Sequence, residues 1–160
     1  MGSLTQKEMN FMINTGRGNI FFDTNILAYS VDKTDEAKHK TAVDLVESVF
    51  DGQLMGHVSN QVLAESYRVL TRKVKTPLAE SDAKTFILGI VESNNWAKLN
   101  YSSQTLKLAM ELSSQGAVSI WDSIISATML ENSLSSIYTE NTNDFGKIAG
   151  IMAINPFKME

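Results

Sequence analysis

The 160-residue chain contains no cysteine, which excludes disulfides, thiolate zinc sites and a cysteine nucleophile at one stroke. Histidine is nearly as scarce: His39 and His57 are the only two, so imidazole chemistry has little to work with. Two prolines, Pro77 and Pro156, are the only ones in the chain. No apolar run approaches the roughly 18 residues that a membrane-spanning helix needs. The first residues lack the basic and then apolar plan of a secretory signal, and Gln6 stands where a myristoylation signal wants Ser or Thr. The expectation is a cytoplasmic protein with no membrane attachment. Basic charge is also short, with 14 Lys and Arg against 18 Asp and Glu and a net charge of −4. Domains that hold nucleic acid by bulk electrostatics tend to be basic. Any phosphate chemistry here must therefore be local, and a site that recruits metal cations for it must itself be acidic.

With 43% hydrophobic and 20% charged residues, the composition is that of one soluble globular domain. Residues 1–18 read as an N-terminal extension closing in Thr15-Gly16-Arg17-Gly18, a turn or flexible joint. Residues 19–160 read as the domain. Ile20-Phe21-Phe22 is a short apolar run, a buried strand ending at Asp23. Helical spacing of Ala37, Ala42, Val43, Leu45, Val46, Val49 and Phe50 predicts a helix over 35–50, stopped by Asp51-Gly52. Strands are predicted at 54–58, 135–139 and 151–154. Further helices are predicted over 59–74, ended by Thr76-Pro77, and over about 79–93, 103–115 and 120–130. Short strands separated by helices of this length require crossover connections, hence an α/β fold with a mainly parallel sheet. In such sheets ligands sit beyond the carboxyl ends of the strands.

Three acids fall where packing alone would not ask for them. Asp23 follows the first strand directly; capping of a helix beginning Thr24-Asn25-Ile26 accounts for it equally well. Glu65 lies in the 59–74 helix at the margin of the arc formed by Val62, Leu63, Leu70 and Val74. A carboxylate there needs a cation or donors, and a salt bridge to Arg68 or Arg72 is the plain alternative. Asp122 has the S-x-x-D spacing of a capping box with Ser119 and a favourable place in the helix dipole. Beyond the strand ending at Thr139 come Glu140, Asn141, Asn143 and Asp144. Acids gathered on one sheet edge, without thiols or a histidine partner, suit a hard divalent cation such as Mg2+ or Mn2+. Such ions orient and activate water and neutralise charge on a phosphodiester. Asp23 and Asp122 are then the direct ligands, with Glu65 completing the cluster. Mutual repulsion should make the metal-free site a burden on stability.

At these residues the sequence resembles the PIN-domain family, and within it the VapC-type toxins of toxin–antitoxin pairs. Phe22-Asp23-Thr24-Asn25-Ile26-Leu27 is similar to the family's first motif. Leu63-Ala64-Glu65-Ser66-Tyr67-Arg68-Val69-Leu70 is similar to the segment carrying its glutamate, and Trp121-Asp122-Ser123-Ile124-Ile125-Ser126-Ala127 to its W-D-A-x-I-x-A segment. Ile137 to Phe145 resembles the strand and loop of its fourth acid, and Ile154-Asn155-Pro156-Phe157 its closing phrase. The resemblance implies a three-layer α/β/α sandwich and Mg2+- or Mn2+-dependent cleavage of RNA. It makes Asp23, Glu65 and Asp122 the catalytic and metal-binding acids, with Asp144 as fourth ligand. Thr24, Asn25, Thr139, Glu140 and Asn141 would support them. Many relatives place aspartate where Asn141 stands, so the fourth acid is Asp144, Glu140 or absent, with Asn141 offering a neutral oxygen. An antitoxin protein masking the site and a homodimer are further implied partners. Arg68 and Arg72, in a basic cluster with Lys73 and Lys75, are the candidate RNA contacts; a solvated helix face is the default for such a run. Two rivals remain: a PIN-like binding module without activity, and a phosphotransferase of the haloacid dehalogenase type. The second needs D-x-D, and Asn25 replaces its second acid.

Overall fold

A strand whose consecutive residues are all apolar has no face to offer water and belongs in the middle of a sheet covered on both sides. In the computed structural model, which describes residues 18–158, Ile20, Phe21 and Phe22 of β1 (Asn19–Phe22) are fully buried. β1 is the central strand of a five-stranded sheet in the order β3-β2-β1-β4-β5. Every pairing is parallel. The other strands are β2 (Met55–Ser59), β3 (Trp96–Leu99), β4 (Ser136–Tyr138) and β5 (Met152–Ile154). The helices are α1 (Thr24–Tyr29), α2 (Glu36–Phe50), α3 (Asn60–Arg72), α4 (Glu80–Glu92), α5 (Ser103–Gly116), α6 (Ile120–Glu131) and α7 (Thr142–Phe145). They flank the sheet as a three-layer α/β/α sandwich, as the sequence implied. The extension expected over residues 1–18 lies, but for Gly18, outside the described residues. Among the described residues no helix is long and apolar enough to cross a membrane.

The chain leaves β1 toward β2 and β3, then crosses back to add β4 and β5 on the other side. The reversal puts a topological switch point between β1 and β4, where open α/β sheets form their ligand sites. In register, Phe22 of β1 stands beside Tyr138 of β4. The residues that follow these two strands, Asp23 and Thr139, are therefore brought together by the backbone ladder itself.

The helix boundaries follow from local signals. Asp35 caps α2 by accepting from the Lys38 N–H (3.1 Å), and Gly52 after its end takes a φ of +74°, a left-handed conformation that costs glycine little. Ser59 caps α3 by accepting from the Val62 N–H (3.2 Å). α6 is buried from Ser123 to Met129, and Ala109 of α5 packs against its Ile124 and Ala127.

The strand β3 was not among the predicted elements. Its sequence, Trp96-Ala97-Lys98-Leu99, is four residues long, interrupted by a lysine, and only its first residue is buried. Edge strands of this kind carry little periodicity. Trp96 is what anchors it: its ring meets Phe22 edge-on at 5.0 Å and Phe50 at 5.9 Å. The ring lies over Gly56, its register partner on β2. A Cβ at Gly56 would fall 2.7 Å from both the Trp96 ring and Cγ1 of Val49. Gly56→Ala is therefore expected to lower unfolding free energy by about 1–3 kcal/mol through overpacking, read as a reduced urea midpoint. An unchanged midpoint would mean that the Trp96 ring moves aside freely.

Candidate active site

Asp23 ends the central strand and is 8% exposed. Burial raises its pKa above the ordinary carboxylate value, against the lowering effect of its hydrogen bonds. Its Oδ1 accepts from the Thr24 N–H (2.8 Å), so it does cap α1. Its Oδ2 does something a cap does not require. It accepts from the Thr139 hydroxyl (2.7 Å) across the switch point and from Nδ2 of Asn25 (3.2 Å). The backbone seals the same junction, with the Asp23 N–H donating to the Tyr138 carbonyl (3.1 Å).

The remaining acids are joined to Asp23 through neutral side chains. The Thr24 hydroxyl donates to Oε2 of Glu65 (3.0 Å), bringing the half-buried acid of α3 beside the end of β1. Oε1 of Glu65 accepts from Nε2 of Gln61 (3.2 Å), one helical turn earlier. The same amide donates to the Trp121 carbonyl (3.3 Å), which ties α3 to the first turn of α6. On the other side the Thr139 hydroxyl accepts from the Asn141 N–H (2.9 Å). Nδ2 of Asn141 then donates to Asp122 (2.9 Å) and Asp144 (3.3 Å).

Asp122 occupies the first turn of α6, and its N–H donates to the Ser119 hydroxyl (3.1 Å), so the cap foreseen there exists too. Its pKa is raised to about 6, first by burial, then by the charges of Asp23 and Asp144, with Glu65 adding to them. Asp144 moves the other way, lowered by the Lys147 ammonium at 3.0 Å and by Asn141. Glu140 forms an ion pair with Lys38 (2.6 Å), whose own pKa is pushed up to about 12 by it and by Tyr29. Of the two candidate fourth acids, Asp144 is the one tied to Asp122.

The salt bridge considered for Glu65 is not what holds it: Thr24 and Gln61 do, while Arg72 pairs with Glu80 at 3.2 Å. Arg68 lines a cleft of about 440 Å3 with Thr24, Glu65, Val69, Lys73 and Trp121, and Arg72 is not among its lining residues. Gln61 escaped the sequence reading. Its place four residues before Glu65, one turn away on the same helix face, was the available signal.

Among the described residues no three carboxylate or imidazole side chains come together closely enough to enclose an ion by themselves. The donor set nevertheless fits a hard cation that keeps much of its water. Every acid offers oxygen, Oδ1 of Asp23 spends only one lone pair on Thr24, and Mg2+ is commonly held by one or two carboxylates. Burial first, and then the charges of the neighbouring acids, raise the Asp122 pKa, and such a cation would offset both.

That charge has a consequence for stability. With a folded pKa of about 6 against an unfolded value near 3.8, Asp122 imposes no penalty below the unfolded pKa. The penalty grows as pH rises toward the folded pKa and is complete above it. Because the group is partly exposed, the nominal shift is discounted to about 1 kcal/mol. Asp122→Asn, without metal and at pH 7.5, should raise the melting midpoint by about 3 °C, an advantage that fades by pH 4. Scanning calorimetry in chelator across that range checks it; a lowered midpoint at pH 7.5 would mean that the ionised carboxylate is stabilising.

The model of the PIN domain family matches residues 20–151. No curated protein matches the chain in sequence. Among solved structures it is similar to Mycobacterium tuberculosis VapC20, a toxin that cleaves the sarcin–ricin loop, with TM-score 0.65 and 22% identity over 83% of this chain and 96% of that one. It is similar to a chain of a toxin–antitoxin complex from Klebsiella pneumoniae (0.59, 19%, 88% and 99%). A third is VapBC2 from Rickettsia felis, bound to a fragment of its promoter DNA (0.60, 15%, 86% and 98%). At these identities the structures establish likeness of fold. The family match, which runs from β1 past β4 and so takes in the whole switch point, establishes more: the chain belongs to the PIN domain family.

Proposed function

We propose that this protein is an endoribonuclease that cuts RNA phosphodiesters with Mg2+ or Mn2+, and that it is the toxin of a toxin–antitoxin pair. The observation that carries the reading is the convergence of Asp23, Glu65 and Asp122 on the end of the central strand. Asp23 and Asp122 would hold the ion, with Glu65 and Asp144 completing the acidic surround. The bound ion would supply charge neutralisation at the phosphate and activation of a water. The chain's own part is positioning. Thr24, Asn25 and Thr139 fix the Asp23 carboxylate in one orientation. Gln61 and Thr24 hold Glu65 with both oxygens engaged, and Asn141 keeps Asp122 and Asp144 from swinging apart. Preorganisation of this kind spares reorganisation when charge develops on the phosphate.

An antitoxin suits the same surface, since an arginine placed among the acids would pair strongly with them. Homodimerisation is part of the proposal only by likeness to relatives. A second reading, a PIN-like binding module without activity, is favoured by the spacing of the acids, no three of which close on one ion among the described residues.

Cleavage of a mixed single-stranded RNA pool by the purified protein separates the two. Cutting is expected with Mg2+ or Mn2+, none in chelator, and a loss of about a hundredfold or more in Asp23→Asn. Either metal should also raise the melting midpoint of the parent protein in a concentration-dependent way. Equal cutting by Asp23→Asn would expose a contaminant. A folded protein that neither cuts nor gains stability from metal would be the binding module.

A further inference from the structure

Trp121 is 60% exposed, the most exposed large hydrophobic residue among those described, whereas the other tryptophan, Trp96, is 1% exposed. An indole left this open beside a charged site has no packing role to explain it. Its position is fixed rather than incidental. It precedes Asp122 on the first turn of α6, and its carbonyl is bound by the Gln61 amide that also binds Glu65. Trp121 lines the same cleft as Thr24, Glu65, Arg68, Val69 and Lys73. Neither Arg68 nor Lys73 is in an ion pair among the described residues, whereas other cations of this surface, Lys38, Arg72 and Lys147, are. In a chain of net charge −4, one cleft thus brings together two cations without ion pairs and an open indole.

We propose that this cleft is a nucleotide subsite in which Trp121 stacks on one base of single-stranded RNA while Arg68 and Lys73 take the adjoining phosphates. The proposal rests on the nuclease reading and names how its substrate is held. An aromatic face beside cations is the recurrent means of holding an unpaired nucleotide without regard to sequence, because every base offers a π-face. RNA recognition of this kind targets unpaired segments, whose bases can be splayed out. The observations favour RNA over a protein partner because Arg68, Lys73 and the carboxylate of Glu65 line the same cleft as the indole. A base on Trp121 then leads its own phosphate toward the carboxylates.

The test uses full-length Asp23→Asn protein with Mg2+, so that binding is read without cleavage. Its probes are a labelled single-stranded RNA of about 12 nucleotides and an abasic ribose-phosphate oligomer of equal length. Tryptophan emission, dominated by Trp121 in its response because Trp96 is buried, should be quenched by the RNA and not by the abasic oligomer. By fluorescence anisotropy, adding Trp121→Ala should weaken RNA binding about tenfold, whereas Trp121→Phe should retain most of the affinity. In an otherwise parental protein the two substitutions should lower kcat/KM in the same order.

Unchanged emission at RNA concentrations where anisotropy reports binding would overturn the subsite and leave the nuclease reading standing. So would equal affinity for RNA and the abasic oligomer. If Trp121→Ala binds and cuts RNA like its parent but loses a protein inhibitor, the indole belongs to a protein interface and the proposal fails. Absence of cleavage and of RNA binding by the parental protein would instead remove the nuclease reading beneath it.

Discussion

The structure turns on one buried carboxylate. Asp23 ends a strand that has no exposed face, so its side chain is carried into a place where an unpaired charge is costly. Its donors arrive from β4, the strand reached by the chain's reversal. The Thr139 hydroxyl bridges to Oδ2 of Asp23 only because Phe22 and Tyr138 are in register. A slip of one residue would turn Thr139 to the other face and strand the acid. From that junction the network runs outward in both directions. Thr24 passes it to Glu65, and Thr139 and Asn141 pass it to Asp122 and Asp144. The acids do not touch one another; hydroxyls and amides stand between them. Neutral bridges let like charges share a small region without direct contact, and they set its size.

Such an arrangement trades stability for capacity. Every bridge is locally favourable, yet burial, and after it the charges of Asp23, Asp144 and Glu65, raise the proton affinity of Asp122. Ordinary packing would remove that conflict by replacing one acid. Asp23 serves both ends: its Oδ1 caps α1, while its Oδ2 is held at the switch point by Thr139 and Asn25.

Much of this was legible in the sequence, for identifiable reasons. β1, α2, α3 and α6 announce themselves by buried apolar runs or by periodicity ended at Gly, Ser or Pro; Asp23 and Asp122 sit at such boundaries, and Glu65 at the margin of the apolar arc of α3. The alternating order of strands and helices then gives the sheet and points to its carboxyl edge. What could not be read is what depends on distant chain segments. β3 exists because Trp96 finds Phe22 and Phe50 across the sheet and the missing side chain of Gly56 leaves room, none of which has a local signature. Glu65 was weighed against arginines on its own helix, but its donors are Thr24, from another element, and Gln61. Glu140 and Asp144 are near neighbours in sequence, yet Glu140 pairs with Lys38 of α2 while Asp144 is held by Asn141 and Lys147.

The site is also asymmetric, and the asymmetry has a physical origin. On the β4 side the acids are hemmed by other charged groups already in pairs, Lys38 with Glu140 and Lys147 with Asp144. On the α3 side Arg68 and Lys73 of the cleft have no ion pair among the described residues, and the indole of Trp121 is open to water. A polyanion approaching the acids is repelled by them and gains nothing from cations already neutralised. Its favourable contacts lie along α3. On the proposed reading, RNA would approach along the cleft that Arg68, Lys73 and Trp121 line, and the overall charge of the chain would not set that direction. An acidic protein would in this way bring a phosphate backbone to a cluster of carboxylates from one side.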